Sequence, residues 1–392
     1  MVIVQLKPKK EECLHRFHPW VFSGAIQRIK GNPAEGEMVE VQDSKGNFLA
    51  QGHYQVGSIA VRVISFEKAE PDHTFWRNKI SRAYRVRVDL GLINPPFNNI
   101  YRLIHGEGDG LSGLIVDVYD NTAVMQAHSV GMHQIRETLA NLLIECVPEI
   151  QNVYYKSEST LPHKAPITPE DTYLVSKTNP NLNVIENGLQ FKIDWVKGQK
   201  TGFFIDQREN RLLLKKYAKG RKVLNMFCYT GGFSAYALQG GAEWVHSVDS
   251  SSKAIDTTDE NIEVNFPNSG RHRSFAEDAF KFLDRDESPY DLIILDPPAF
   301  AKHRDAVKNA LKGYKRLNAK ALDRILPNGI VFTFSCSQAI SKEQFRLAVL
   351  SAAVESGRKV RILHQLTQPA DHPVNIYHPE GEYLKGLVLY VE

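Results

Sequence analysis

From Arg221 onward, short apolar runs alternate with stretches of helical spacing. RKVLNMF (221–227), WVHSVD (244–249), the start of RHRSFAEDAFKFL (271–283), YDLIIL (290–295), IVFTFS (330–335), KVRILHQL (359–366) and YLKGLVLYVE (383–392) each read as a strand. The run Leu292 to Leu295 is apolar without interruption, as a strand covered on both faces of a parallel sheet is. Strand and helix in alternation predict an α/β doubly wound sheet. The front of the chain follows a different period. MVIVQL, EMVEVQD, NFLAQGHY and SIAVRVISF alternate apolar and polar positions, with turn signals at Asn32-Pro33 and Lys45-Gly46-Asn47, so residues 1–70 predict a small β barrel. A helix follows from about Asp72, reading FWRNKISRAYRVRVDLGL.

Chemistry collects where these strands stop. Asp296-Pro297-Pro298 closes one apolar strand and Cys336, between Ser335 and Ser337, closes the next. In an open α/β sheet the carboxyl edge is where ligands bind, so a carboxylate and a thiol at neighbouring strand ends form a candidate active site. A Cys after an apolar strand is more often inert packing, and the motif upstream changes the odds. There the strand 221–227 runs into YTGGFSAYAL, a tight turn opening a helix, and the next strand ends in Asp249. Gly231 and Gly232 let backbone approach a ligand, while an acid closing the second strand is placed to accept from ribose hydroxyls. A dinucleotide site would carry GxGxxG to seat a pyrophosphate on the helix N-terminus. Two adjacent glycines suit an adenosine ligand without phosphate, S-adenosylmethionine. Asp278, after the third strand, stands where an acid could read the adenine edge; a polar loop residue is the plain alternative.

The assembled residues resemble the bacterial large-subunit ribosomal RNA cytosine-5 methyltransferases that carry an N-terminal PUA domain, the RlmI-like group. HPWVFSGAI (18–26) is similar to the opening of that PUA domain, and YRLIHGEGDGLSGLIVDVY (101–119) to the central domain. GQKTGFFIDQREN (198–210), VLNMFCYTGGFS, LDPPAF, GYKRLN (313–318), FSCSQ and ADHPVNIYHPEGEYLKG (370–386) follow in the family's order. The resemblance implies a PUA-like RNA-binding domain over 1–70, a central α+β domain over 71–190 and a class I methyltransferase domain over 191–392. It implies methyl transfer from S-adenosylmethionine to carbon 5 of a cytosine in 23S rRNA, free or in a large-subunit assembly intermediate, and it carries over a homodimer. Cofactor contacts fall by resemblance on Gln199, Thr201, Gly202, Phe204 and Gln207, on Phe227, Tyr229, Thr230 and Gly231 in the turn, and on Asp249, Asp278 and Asp296. Asp206 is also read as the N-cap of a helix running to Tyr217.

Carbon 5 of cytosine is a poor nucleophile until a thiolate adds to carbon 6. Cys336 would be that thiolate, and Asp296 its partner on the ring. Asp-Pro-Pro-Ala-Phe taken alone is also close to the signature of enzymes that methylate exocyclic amines, which need no thiol. Ala299 stands where the group carries Lys, with Lys302 nearby. Cys228 is the rival nucleophile and is read as packing. Cys13 and Cys146 have no partner at ligand spacing, so neither a metal site nor a disulfide framework is expected.

At 392 residues the chain calls for two or three domains. It has no run of eighteen apolar residues and its N-terminus, MVIVQLKPKKEE, lacks a signal-peptide core. A soluble, cytoplasmic protein without a membrane anchor is expected. A net charge of +3 does not by itself point to nucleic acid. Two local clusters do so at even odds: Lys7, Lys9, Lys10, His15 and Arg16, and Arg77, Lys79, Arg82, Arg85 and Arg87 on the helix.

Overall fold

Seven strands build the sheet that carries the candidate chemistry: β1 (Lys222–Met226), β2 (Trp244–Asp249), β3 (His272–Ala276), β4 (Leu292–Leu295), β5 (Gly329–Ser335), β6 (Val360–Leu366) and β7 (Lys385–Val391). Their order is β3-β2-β1-β4-β5-β7-β6. Neighbours from β3 to β5 are parallel, and β7 runs antiparallel to both β5 and β6. The order reverses between β1 and β4, which makes their carboxyl ends the switch point where open α/β sheets bind ligands. Every residue of β4 and β5 is buried, as continuous apolar strands covered on both faces should be.

The computed structural model describes residues 1–94, 96–162, 170–301 and 303–392. The sheet belongs to a unit formed by Glu186–Lys192, Asp206–Pro369 and Glu382–Glu392; a second unit comprises Met1–Ile185, Ile193–Ile205 and Ala370–Gly381. In the sheet unit, local chemistry sets the helix ends. Lys342–Ser356 begins with a reciprocal capping box, Ser341 Oγ accepting from Gln344 N at 3.1 Å and Gln344 Oε1 accepting from Ser341 N at 2.9 Å. It stops at Gly357, whose φ of 66° is the left-handed conformation that releases a helix. The expected Asp206 cap is a correction. Gln207 occupies the N-cap of Arg208–Tyr217, and Asp206 Oδ2 instead accepts from the Tyr383 hydroxyl at 2.7 Å.

The other unit holds a six-stranded sheet in the order Trp20–Phe22, Ile59–Ser65, Phe48–Tyr54, Met38–Gln42, Val2–Leu6, Ile26–Lys30. The alternating pattern located four of these strands. Trp20–Phe22 and Ile26–Lys30 escaped it because one is only three residues long and the other has no buried residue. The same unit contains a five-stranded sheet spanning Ile100–His105 to Thr172–Ser176 and the helix His73–Asp89. That helix keeps Arg77, Arg82 and Arg85 exposed, but not every cation of the cluster reaches its surface. Arg87 is fully buried, bonded to both carboxylate oxygens of Asp109 at 2.5 and 2.8 Å, while Arg77 pairs with Glu145 and Arg85 with Asp89. Among the described residues no helix is long and apolar enough to cross a membrane.

Candidate active site

Strand register fixes which residues leave the sheet together. Met226 pairs with Val248 on one side and Leu295 on the other, and Leu295 pairs with Thr333. Phe227, Asp249 and Asp296 therefore each stand one step past the same row, at the carboxyl edge of three adjacent strands. Cys336 follows Ser335, the last residue of β5, on the same edge. The sequence-level pairing of a carboxylate with a thiol is thus a consequence of β4 lying beside β5.

The turn after β1 is held in an unusual shape. Phe227, Tyr229 and Gly231 all have positive φ, at 58°, 49° and 78°, which is costly for an aromatic residue and persists only where neighbours over-determine it. They do. Asp249 accepts from Tyr229 N at 3.0 Å and from Ser251 N at 2.9 Å. From the helix Ser252–Asn265, Thr258 Oγ1 donates to Tyr229 O at 2.8 Å and Asn261 Nδ2 to Thr230 O at 2.9 Å. A Cβ on Gly231 would lie 2.7 Å from Thr258 Cγ2, so only glycine fits beneath that helix. Underneath the turn, Arg211 and Glu186 form a bidentate pair at 2.8 Å for both bonds, with the Tyr236 hydroxyl donating to Glu186 at 2.9 Å. Arg211 is 3% exposed and Glu186 0%.

Cys336 is half-buried. Its flanking serines are fully buried and lock the loop: Tyr314 OH lies 3.1 Å from Ser337 Oγ, which also accepts from Ala301 N at 3.3 Å. Lys385, opposite Ser335 in β7, buries its ammonium and donates to Ser337 O at 2.7 Å. Burial brings the Lys385 pKa down to about 8, and its charge interacts with the Cys336 sulfur. Sequence reasoning read YLKG as a strand and as the end of the family's C-terminal pattern, with no role for Lys385; a lone Lys in an otherwise buried strand was the available signal. Cys228 differs from Cys336 in its burial. It is buried, and burial with the nearby Asp249 charge pushes its thiol well up, so it is not activated as a nucleophile.

Asp296 is half-buried, with Oδ2 accepting from Gln207 Nε2 at 3.0 Å, and Gln207 is oriented in turn by Asn210 at 2.6 Å. Asp278 is exposed and caps the helix Ala279–Arg285, using Oδ1 toward Phe280 N and Lys281 N at 3.0 and 3.1 Å. Gln199, Thr201, Gly202 and Phe204 belong to the other unit. There Thr201 is 1% exposed and its hydroxyl donates to Asp117 at 2.6 Å. Gly202 has φ 121°, and a Cβ there would meet Ile193 at 2.8 Å. Lys200 sits over the Phe204 ring at 4.6 Å. Lys302 lies outside the described residues.

Comparison with known proteins now bears on this geometry. Residues 157–379 match the S-adenosylmethionine-dependent methyltransferase family and residues 4–66 a PUA-like domain. Ribosomal RNA large subunit methyltransferase I of Shewanella amazonensis is 40% identical, with 99% of each chain covered. The protein of that name from Tolumonas auensis is 39% identical over 98% of each. The chain belongs to the ribosomal RNA large subunit methyltransferase I family. The fold agrees: a Streptococcus mutans protein described as a SAM-dependent methyltransferase superposes with a TM-score of 0.85 at 23% identity over the whole of both chains, and SMU.776 complexed with SAH with 0.86.

The family's cofactor is S-adenosylmethionine, and the donor set of this methyltransferase fits it. If the expected contacts hold, Asp249, Asp278 and Asp296 would present carboxylate oxygens to ribose hydroxyls, an adenine amino group and a cationic amino-acid end, and their charge would repel a pyrophosphate. The bound cofactor supplies an electrophilic methyl group. We expect Asp249→Ala to weaken S-adenosylmethionine binding roughly ten- to a hundredfold, through lost charged hydrogen bonds and a slackened turn. Calorimetric titration checks this; an unchanged affinity would remove Asp249 from the cofactor site.

Proposed function

We propose that this chain methylates carbon 5 of a cytosine in 23S ribosomal RNA through a covalent bond between Cys336 and carbon 6. The observation that carries the reading is the placement of a half-buried thiol and the Asp296 carboxyl beyond adjacent strand ends, at the edge that also bears the glycine turn. The full-length relatives named for large-subunit ribosomal RNA supply the substrate class. In the proposed sequence the Cys336 thiolate adds to carbon 6, which makes carbon 5 enamine-like and able to take the methyl group. Asp296, its orientation fixed by Gln207, holds the ring nitrogen edge and favours that addition. Loss of the carbon 5 proton then lets the S–C6 bond break and restores the thiol. The target base must leave its stack, because carbon 6 is attacked from above the ring plane.

A groove of about 800 Å³ on the PUA-like unit supports an RNA substrate. Lys9, Lys10 and Arg16 line it beside the exposed rings of Phe22 and Tyr377, a combination that suits phosphates and unstacked bases. The exocyclic-amine reading is weaker. The Phe300 ring of DPPAF is packed on Tyr314 with centroids 4.6 Å apart instead of standing clear for a base. Incubation with labelled S-adenosylmethionine and 23S rRNA lacking its methylations, followed by digestion to nucleosides, tests the proposal. Label in 5-methylcytidine is expected; label in a methylated adenosine or guanosine would overturn it.

Lys385 enters the same proposal as the charge that favours the thiolate. At pH 7 Lys385→Met should slow iodoacetamide labelling of the Cys336 peptide several-fold, with Lys385→Arg restoring it. Because the ammonium loses its proton near pH 8, the advantage of the native chain should be largest below that pH and fade above it. Equal labelling rates at pH 7 would reduce Lys385 to a clamp on the Ser337 carbonyl.

A further inference from the structure

Away from the sheet, three side chains remote in sequence converge on one point. His18 precedes the strand Trp20–Phe22, while His378 and Glu380 flank Pro379 at a single turn of 3-10 helix, Pro379–Gly381. His18 Nε2 lies 3.4 Å and His378 Nε2 3.8 Å from the same oxygen, Glu380 Oε2, and the three atoms all lie within 4.8 Å of one another. His378 is 3% exposed and its Nε2 has no hydrogen-bond partner among the described residues. A buried imidazole nitrogen left in that state is costly, and native structures rarely tolerate it without a reason.

The spacing itself is informative. Two imidazole N–H groups donating to one carboxylate oxygen would draw in to about 2.9 Å, whereas the His18 bond is long at 3.4 Å and His378 Nε2, at 3.8 Å, makes none. Ligand atoms held at roughly 2.0–2.1 Å around a tetrahedral ion are about 3.3 Å apart, close to the observed spacing. Glu380 is half-exposed and free to close the remainder. The surroundings are also those of a held ligand. The Trp20 ring packs on His378 with centroids 4.3 Å apart and is pinned by its own Nε1–H to Glu107 at 2.8 Å. His18 Nδ1 lies 3.2 Å from Trp20 N and 3.3 Å from Trp20 O, so the Trp20 backbone fixes the ring and leaves Nε2 on the side of Glu380.

We propose that His18, His378 and Glu380 form a binding site for a first-row divalent transition metal, zinc being the best match to a two-histidine, one-carboxylate set. The fourth position is left to water or to an incoming ligand. Bound there, the ion ties the 370–381 segment to the start of the PUA-like sheet, a structural role separate from methyl transfer.

The test uses the full chain, treated with chelator and titrated with Co²⁺ as the probe. One equivalent of cobalt with tetrahedral d–d absorption, lacking the charge-transfer band that thiolate ligation gives, and displaced by Zn²⁺, is the expected result. Glu380→Ala, at a half-exposed position that should not disturb folding, and His18→Ala should each weaken binding at least about tenfold. Zn²⁺ should raise the melting temperature of the native chain and not of Glu380→Ala. Absence of d–d absorption at excess cobalt, a thiolate band, or a Glu380→Ala titration matching the native one would each overturn the site.

Discussion

Cys336→Ala is expected to lower methyl transfer to 23S rRNA by at least about 10⁴-fold while leaving S-adenosylmethionine affinity within about twofold. The size of the effect follows from the role. Without a thiolate at carbon 6, carbon 5 has no route to nucleophilic character, and removing an interaction made only along the reaction path lowers kcat without weakening cofactor binding. The fold should survive, because Cys336 is half-buried and its neighbours Ser335 and Ser337 hold the loop through Tyr314, Ala301 and Lys385. Cys228→Ala serves as the control. Its thiol is buried and held protonated, so the variant should lose stability and keep turnover per folded molecule. Single-turnover transfer to digested and analysed rRNA, beside calorimetric titration of the cofactor, measures both. A Cys336→Ala enzyme that still forms 5-methylcytidine at the native rate would end the covalent mechanism.

The second large effect concerns stability. Glu186→Ala should destabilise the sheet unit by about 3–5 kcal/mol, because it strands the Arg211 guanidinium in a site that is 3% exposed. Removing both charges should cost less: Glu186→Leu combined with Arg211→Met leaves no unpaired ion, so the double variant should unfold at a higher denaturant concentration than Glu186→Ala. Denaturation of each full-length variant, followed by tryptophan fluorescence, gives the comparison. A Glu186→Ala midpoint equal to the native one would show that water reaches Arg211. The turn should suffer with the pair. Gly232, which opens the helix Gly232–Gln239, would place a Cβ 3.2 Å from Arg211 Cδ, so the guanidinium stem is part of the floor beneath the glycines.

Much of the sheet was legible because its signals are local. An apolar run such as Leu292–Leu295 has one stable environment, and WVHSVD spans the observed strand with Asp249 as its last residue. The alignment of Phe227, Asp249 and Asp296 needed only the parallel order that alternating elements imply. What the sequence hid depends on partners far along the chain. Arg87 reads as one more charge on a basic helix until Asp109 and the Asp371 carbonyl surround it, the latter at 2.8 Å. Asp206 has the composition of a cap, and a hydroxyl from Tyr383 takes it instead. Lys385 is invisible as a site residue until antiparallel pairing brings it opposite Ser335. The His18, His378 and Glu380 cluster joins positions about 360 residues apart, beyond any motif-spacing argument, and the expectation of no metal rested on cysteine spacing alone.

The placement of β7 has a consequence for how the molecule is made. β5 and β6 are consecutive in the chain but do not touch; β7, encoded after both, inserts between them. During synthesis each therefore waits with an unpaired edge, and the pairing that closes the gap is long-range and slow to form. Lys385 arrives on that same strand. The cation proposed to favour the Cys336 thiolate is thus delivered by the step that completes the sheet, so on that proposal a nascent or misassembled chain carries a thiol not yet activated. On that proposal, assembly order keeps a reactive sulfur from appearing before the scaffold that controls it.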